Sequence, residues 1–150
     1  MERRRLAKTG MLRSAHMLGN EEEIIFAATD LLADTKLAPE LSNEAHYYRA
    51  KAYLDAGKTD GAMEDLKVLA KDTRNVYGAE AKYKVAQIYF DGGQTDKAEQ
   101  EVLNYIEVST PHTYWLARSF VLLADVYMKL GRNLDAKQYL LSLKQNYQAE

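Results

Sequence analysis

The stretch with the most suggestive chemistry is Ala52–Thr59, AYLDAGKT, which satisfies a relaxed phosphate-loop pattern ending in Gly57-Lys58-Thr59. In such a loop, glycines let backbone N–H groups cradle phosphate, the Lys adds charge and the hydroxyl holds Mg2+. That chemistry requires a buried strand before the loop and a helix after it, aimed at the phosphate. Here the preceding residues have helical, amphipathic spacing. Two sister turns, Gly93-Gln94-Thr95 and Gly131-Arg132-Asn133, carry no Lys at the same place. The stretch therefore reads as an inter-helix turn.

Other candidate chemistries fare no better. His16, His46 and His112 are far apart and none is paired at i, i+4, so they predict no metal site. His46 reads instead as a partly buried packing residue. The chain has no Cys, which removes disulfides, thiolate catalysis and Cys-ligated zinc. Its acidic residues (22) and basic residues (20) nearly balance, so no global field favours nucleic acid. Ser14, Ser42, Ser109, Ser119 and Ser142 lack a nucleophile motif. Arg3, Arg4, Arg5, Lys8 and Arg13 form a basic start that reads as a solvated face. The expectation is a protein that is not an enzyme and uses no cofactor. No apolar run approaches the roughly 20 residues of a membrane span, so no direct membrane insertion is expected. The basic start lacks the apolar stretch of a secretory signal.

The periodicity predicts an all-α chain of about eight helices, near 4–18, 21–34, 41–56, 60–73, 77–92, 95–109, 112–130 and 133–147. Gly19, Gly57, Gly93 and Gly131 end alternate helices at separations of 38, 36 and 38 residues. Constant spacing of this size predicts stacked helical hairpins, each burying its apolar face on the next. Thr59, Thr95 and Asn133 follow the turns and are predicted to cap the second helices. Pro39 is placed in a link, and Pro111 near a helix start.

Within this frame the residues resemble the tetratricopeptide repeat (TPR) family. The small residue of its first helix is matched by Ala50, Ala86 and Ala124, and its Tyr by Tyr53, Tyr89 and Tyr127. The turn Gly is matched by Gly57, Gly93 and Gly131, and the second-helix Ala by Ala62, Ala98 and Ala136. Leu66, Val102 and Leu140 take the next core place. The resemblance is good over 41–73, 77–109 and 112–147 and weaker over the divergent hairpin 4–35, where Ile24 replaces the Ala and Ala15 the Tyr. His46 and Lys82 stand where the family has a large aromatic, and Phe120 fits that place. Arg49 occupies a usual Leu position.

The resemblance implies a single right-handed superhelical array, an α-solenoid, over 1–150. Its first helices would line a concave groove, with Arg13, His16, Tyr47, Lys51, Tyr83, Gln87 and Asp125 as partner-facing candidates. It implies a non-enzymatic scaffold that binds a peptide or protein surface. The wording of the chain is similar to the C-terminal repeats of large bacterial envelope TPR proteins. That favours the periplasm or cell envelope over the cytoplasm. The alternative is a structural spacer or self-association module. The apolar last helix (Tyr139, Leu140, Leu141, Leu143, Tyr147) is expected either to continue into a longer array or to self-associate.

Overall fold

The computed structural model describes residues 2–108 and 110–147, with side chains as far as Gln145; Ser109 and the Tyr147 side chain lie outside the described residues. Eight helices run among them: α1 (Glu2–Leu18), α2 (Glu21–Leu32), α3 (Pro39–Asp55), α4 (Thr59–Leu69), α5 (Val76–Asp91), α6 (Thr95–Glu107), α7 (Thr113–Lys129) and α8 (Asn133–Tyr147). They divide into two compact units, Met1–Leu69 and Ala70–Glu150. In the first, α2 and α3 pack together, with α1 on α2 and α4 on α3. In the second, α5 pairs with α6 and α7 with α8, while α7 also meets both α5 and α6.

The hairpin turns are built alike. Gly19, Gly57, Gly93 and Gly131 have φ of 71°, 75°, 80° and 76°, a left-handed conformation that Cβ-bearing residues resist. The residue after each Gly donates its N–H back to the carbonyl of Ala15 (3.3 Å), Tyr53 (2.7 Å), Tyr89 (2.8 Å) and Tyr127 (2.7 Å). Each Gly N–H bonds three residues back, to His16, Leu54, Phe90 and Met128. This paired arrangement closes the helix and satisfies its last carbonyls. Gly57-Lys58-Thr59 is thus a turn between two helices.

The capping expectation needs correction. Thr59, Thr95 and Asn133 are the first helical residues, not the caps. The cap of α6 is Gln94, which makes no side-chain capping bond. The turn is so short that the residue closing one helix also opens the next: the carbonyls of Lys58, Gln94 and Arg132 accept the first bonds, from Ala62, Ala98 and Ala136. The first hairpin adds a side-chain cap, Asn20 Oδ1 accepting from the Glu23 N–H at 3.1 Å. Pro39 is likewise not a link residue; it opens α3 at a position where its missing N–H costs nothing. Asn75 caps α5 through Oδ1 and the Tyr77 N–H at 2.8 Å.

The small residues are where close packing needs them. Ala50, Ala62, Ala86, Ala98, Ala124 and Ala136 are all buried. In the first hairpin the equivalent places hold Leu12 and Ile24, also buried, and the Tyr place holds Ala15. Leu66 and Val102 are core residues, but Leu140 is 41% exposed, against the expectation of a third core position. Helix α7 packs on α6 and covers Val102; among the described residues no helix does the same for that side of α8. The rings of the repeated Tyr lie against the second helix of their own hairpin. A Cβ on Gly61 would meet the Tyr53 ring at 3.1 Å, Lys97 lies over Tyr89, and Tyr139 stacks on Tyr127 with centroids 5.5 Å apart.

Two substitutions probe this frame. Gly131→Ala places its Cβ in open space, so its cost comes from φ alone and should be about 1–2 kcal/mol. Ala98→Leu forces extra volume into a fully buried place and should cost about 1–3 kcal/mol. Urea midpoints measure both; an unchanged midpoint for Ala98→Leu would contradict close helix contact in the α5–α6 hairpin.

Candidate protein-binding site

The titratable cluster with the deepest burial is structural. Asp65 on α4 is 1% exposed. Its Oδ1 lies 2.8 Å from His46 Nδ1 and accepts from an Arg49 Nη2 at 2.7 Å, while Oδ2 accepts from Arg49 Nε at 2.9 Å. Arg49 also donates to Thr29 Oγ1 at 3.0 Å, so one guanidinium joins α2, α3 and α4. Burial would raise the Asp65 carboxyl, but the hydrogen bonds from His46 and Arg49 and the nearby guanidinium charge outweigh it and hold it below the ordinary carboxylate value. The two residues that depart from the family pattern in this hairpin, His46 and Arg49, are the partners that a buried Asp requires. In the next hairpin Lys82 Nζ meets Glu101 at 2.8 Å in the corresponding place, 36 residues on. No group of three or more His, Asp or Glu among the described residues is arranged to hold a metal.

The seven partner-facing candidates fall into two groups. Arg13, His16, Tyr47 and Lys51 lie on α1 and α3. Arg13 grips Glu44 with two hydrogen bonds, Nε at 2.8 Å and Nη2 at 2.9 Å. The His16 ring stacks on Tyr48 at 4.0 Å with an 11° tilt. Lys51 donates to the Tyr47 hydroxyl at 3.1 Å and lies 5.0 Å from that ring's centre. The groups on this face are largely occupied with one another.

Tyr83, Gln87 and Asp125 come together around one cleft of about 310 Å³ between α5 and α7, with Phe90, Asp91, Arg118, Val121 and Leu122. Helical spacing explains the wall on α5: Tyr83, Gln87 and Asp91 recur every four residues and share one face. On α7, Arg118, Val121, Leu122 and Asp125 do the same. Tyr83 is not an exposed contact residue. It is buried in the core of this unit, its ring 5.7 Å from Trp115, while still lining the cleft.

Sequence reasoning missed Arg118. Its guanidinium lies 4.8 Å from the Tyr83 ring centre, 5.5 Å from Trp115 and 5.8 Å from Tyr114. It donates to the Tyr114 hydroxyl at 3.3 Å and the Tyr83 hydroxyl at 3.4 Å. The Tyr114 hydrogen bond, with Tyr83 adding to it, strengthens its hold on its proton. No carboxylate among the described residues pairs with it. The signal lay in the register: Arg118 sits one helical turn before the first groove-facing place, where the two preceding hairpins carry Glu44 and Glu80.

With this geometry in view, the comparisons agree on the class. Residues 44–72 and 117–145 each match the tetratricopeptide repeat family. The all-helical fold is that of TPR solenoids. The nearly identical TPR-like repeats of a kinesin-light-chain candidate from Podosopora anserina align at 17% identity with a TM-score of 0.61, over 96% of this chain and 76% of that one. The MamA protein aligns at 17% identity with a TM-score of 0.57, over 97% of this chain and 92% of that one. At such identities the likeness is one of fold. No curated protein sequence matches the chain. The chain is a tetratricopeptide repeat protein.

Two outcomes separate the structural groups from the contact groups. Removing Asp65 leaves Arg49 without its buried partner, so Asp65→Asn should lose about 3 kcal/mol at neutral pH. Because the folded-state carboxyl titrates below its unfolded value, this contribution is full above about pH 4 and fades as pH falls through the folded-state value. Urea midpoints of parent and variant should therefore converge in acid; a constant gap would contradict an ionised Asp65. Tyr83→Ala should cost about 3 kcal/mol as a core deletion, while Gln87→Ala should stay within about 0.5 kcal/mol.

Proposed function

We propose that this chain is a non-enzymatic interaction scaffold that holds a peptide segment of a protein partner, with the α5–α7 cleft as the contact site. TPR repeats generally mediate protein–protein interaction. The observation that carries the reading for this chain is Arg118. A guanidinium held against three aromatic rings keeps its position at little further entropic cost, and its N–H groups have no carboxylate partner among the described residues. Such preorganised Arg–aromatic clusters are the usual source of binding energy in protein interfaces. Val121 and Leu122 supply apolar surface beside it.

A role in organising bacterial cell-envelope proteins rests on the sequence resemblance. Both ideas are tested by capture from envelope and soluble fractions with parent and Arg118→Ala baits. The expected result is a protein retained by the parent from the envelope fraction and lost by the variant at unchanged melting temperature. Equal retention by both baits would remove the cleft from the mechanism; retention only from the soluble fraction would remove the envelope role.

A second reading, a self-association or spacer module, is favoured by the exposed Leu134, Leu140 and Leu141 of α8. Light scattering over a concentration series tests it: mass should rise with concentration, and a strict monomer would end the self-association version.

A further inference from the structure

The α5–α7 cleft is electrically polarised along its length. Tyr83 and Arg118 meet at one end, and three to eight residues further along the two helices the walls carry Gln87, Phe90 and Asp91 on α5 and Val121, Leu122 and Asp125 on α7. One end presents the caged Arg118 guanidinium. The other presents two exposed carboxylates, Asp91 and Asp125. Neither forms an ion pair with a basic side chain among the described residues. Lys129, one turn beyond Asp125, instead places its ammonium 5.3 Å from the Phe90 ring centre.

Arg118 and Asp125 stand seven residues apart on one helix, which is about 10 Å along the axis. An extended peptide in the polyproline II conformation advances about 9 Å in three residues and returns to the same face. A peptide with an acidic side chain and a basic side chain three residues apart therefore matches both ends of the cleft at once. Gln87 lies between them, where it can bond the peptide backbone, and Val121 and Leu122 face the intervening residues.

Resting on the reading of this cleft as the peptide site, we infer that it selects an extended segment carrying one acidic and one basic residue at i, i+3. The acidic group seats on Arg118 and the basic group between Asp91 and Asp125. Selection of this kind comes from charge matching, since a wrong sign at either end leaves like charges facing each other.

The test uses the whole chain and five short acetylated, amidated peptides whose cores are Glu-Pro-Pro-Lys, Lys-Pro-Pro-Glu, Glu-Pro-Pro-Gln, Gln-Pro-Pro-Lys and Gln-Pro-Pro-Gln. Trp115 is the only Trp, so its indole N–H signal and the Arg118 Nε–H signal report occupancy by NMR at millimolar peptide. One of the two doubly charged peptides should bind about tenfold more tightly than the neutral one, the scale that two half-exposed ion pairs allow. Each singly charged peptide should fall between. Arg118→Gln should erase the preference for Glu alone, and Asp91→Asn with Asp125→Asn the preference for Lys alone. Binding of all five peptides with equal affinity would overturn the charge pattern and leave the peptide site standing. No shift of either signal with any peptide would overturn the peptide site itself.

Discussion

Everything in this chain depends on how closely two short helices can approach within one hairpin. Each helix has one apolar stripe, and a hairpin alone cannot bury both. The approach is set by a turn too short for any other closure: a left-handed Gly whose neighbours reach back to the carbonyls of the preceding turn. Once the turn is fixed, the residues facing across it must be small, and Ala at 50, 62, 86, 98, 124 and 136 meets that need. The first hairpin solves the same problem with a different division of volume. Leu12 and Ile24 fill the places of the paired Ala, and Ala15 vacates the place of the Tyr. Total volume and pattern are what a core demands, so the exchange keeps the turn and the packing while erasing the family pattern.

A second position shows the same freedom in polar form. Along three successive hairpins the facing pair is His46 with Asp65, Lys82 with Glu101, and Phe120 with Tyr139. The first two are ion pairs, and the third is a pair of tilted rings 6.3 Å apart. Charge attraction and aromatic packing are alternative ways to join the same two helix faces. The ionic choice constrains its surroundings more. A buried carboxylate such as Asp65 must have every lone pair answered, and Arg49 answers them at the expense of the usual Leu.

This explains which parts of the fold were legible in the sequence. Helices and turns were readable because Gly19, Gly57, Gly93 and Gly131 mark a backbone state that few residues adopt. The misfits His46, Arg49 and Lys82 were visible as departures, but their partners were not. Asp65 and Glu101 lie about twenty residues away on another helix, among many carboxylates of identical type. The exposure of Leu140 was hidden for a related reason. Its register equals that of Leu66 and Val102, and burial depends on whether another helix packs there, which register does not encode. The capping role of Thr59, Thr95 and Asn133 failed by one residue, because a turn that closes one helix and opens the next leaves no separate cap position.

The candidate site was half legible, and the missing half follows from the same logic. Register placed Tyr83, Gln87 and Asp125 together on one partner-facing surface. The structure buries Tyr83 in the core and adds Arg118 of α7 to the lining of the cleft. At the equivalent place in the two preceding hairpins stand Glu44, which is bound by Arg13, and Glu80, which pairs with Lys84. Both carboxylates are already paired, Glu44 across to α1 and Glu80 one turn along its own helix. Arg118 breaks the series in sign, and the groups around it are hydroxyls and ring faces. Rings fix a guanidinium in place without neutralising it, whereas a carboxylate does both. The α1–α3 face has the components of a binding surface already paired, and the α5–α7 cleft has a charge that is positioned and still unanswered. That difference in electrostatic satisfaction, with sequence register equal on both faces, is what favours the second unit under the proposed peptide-binding role.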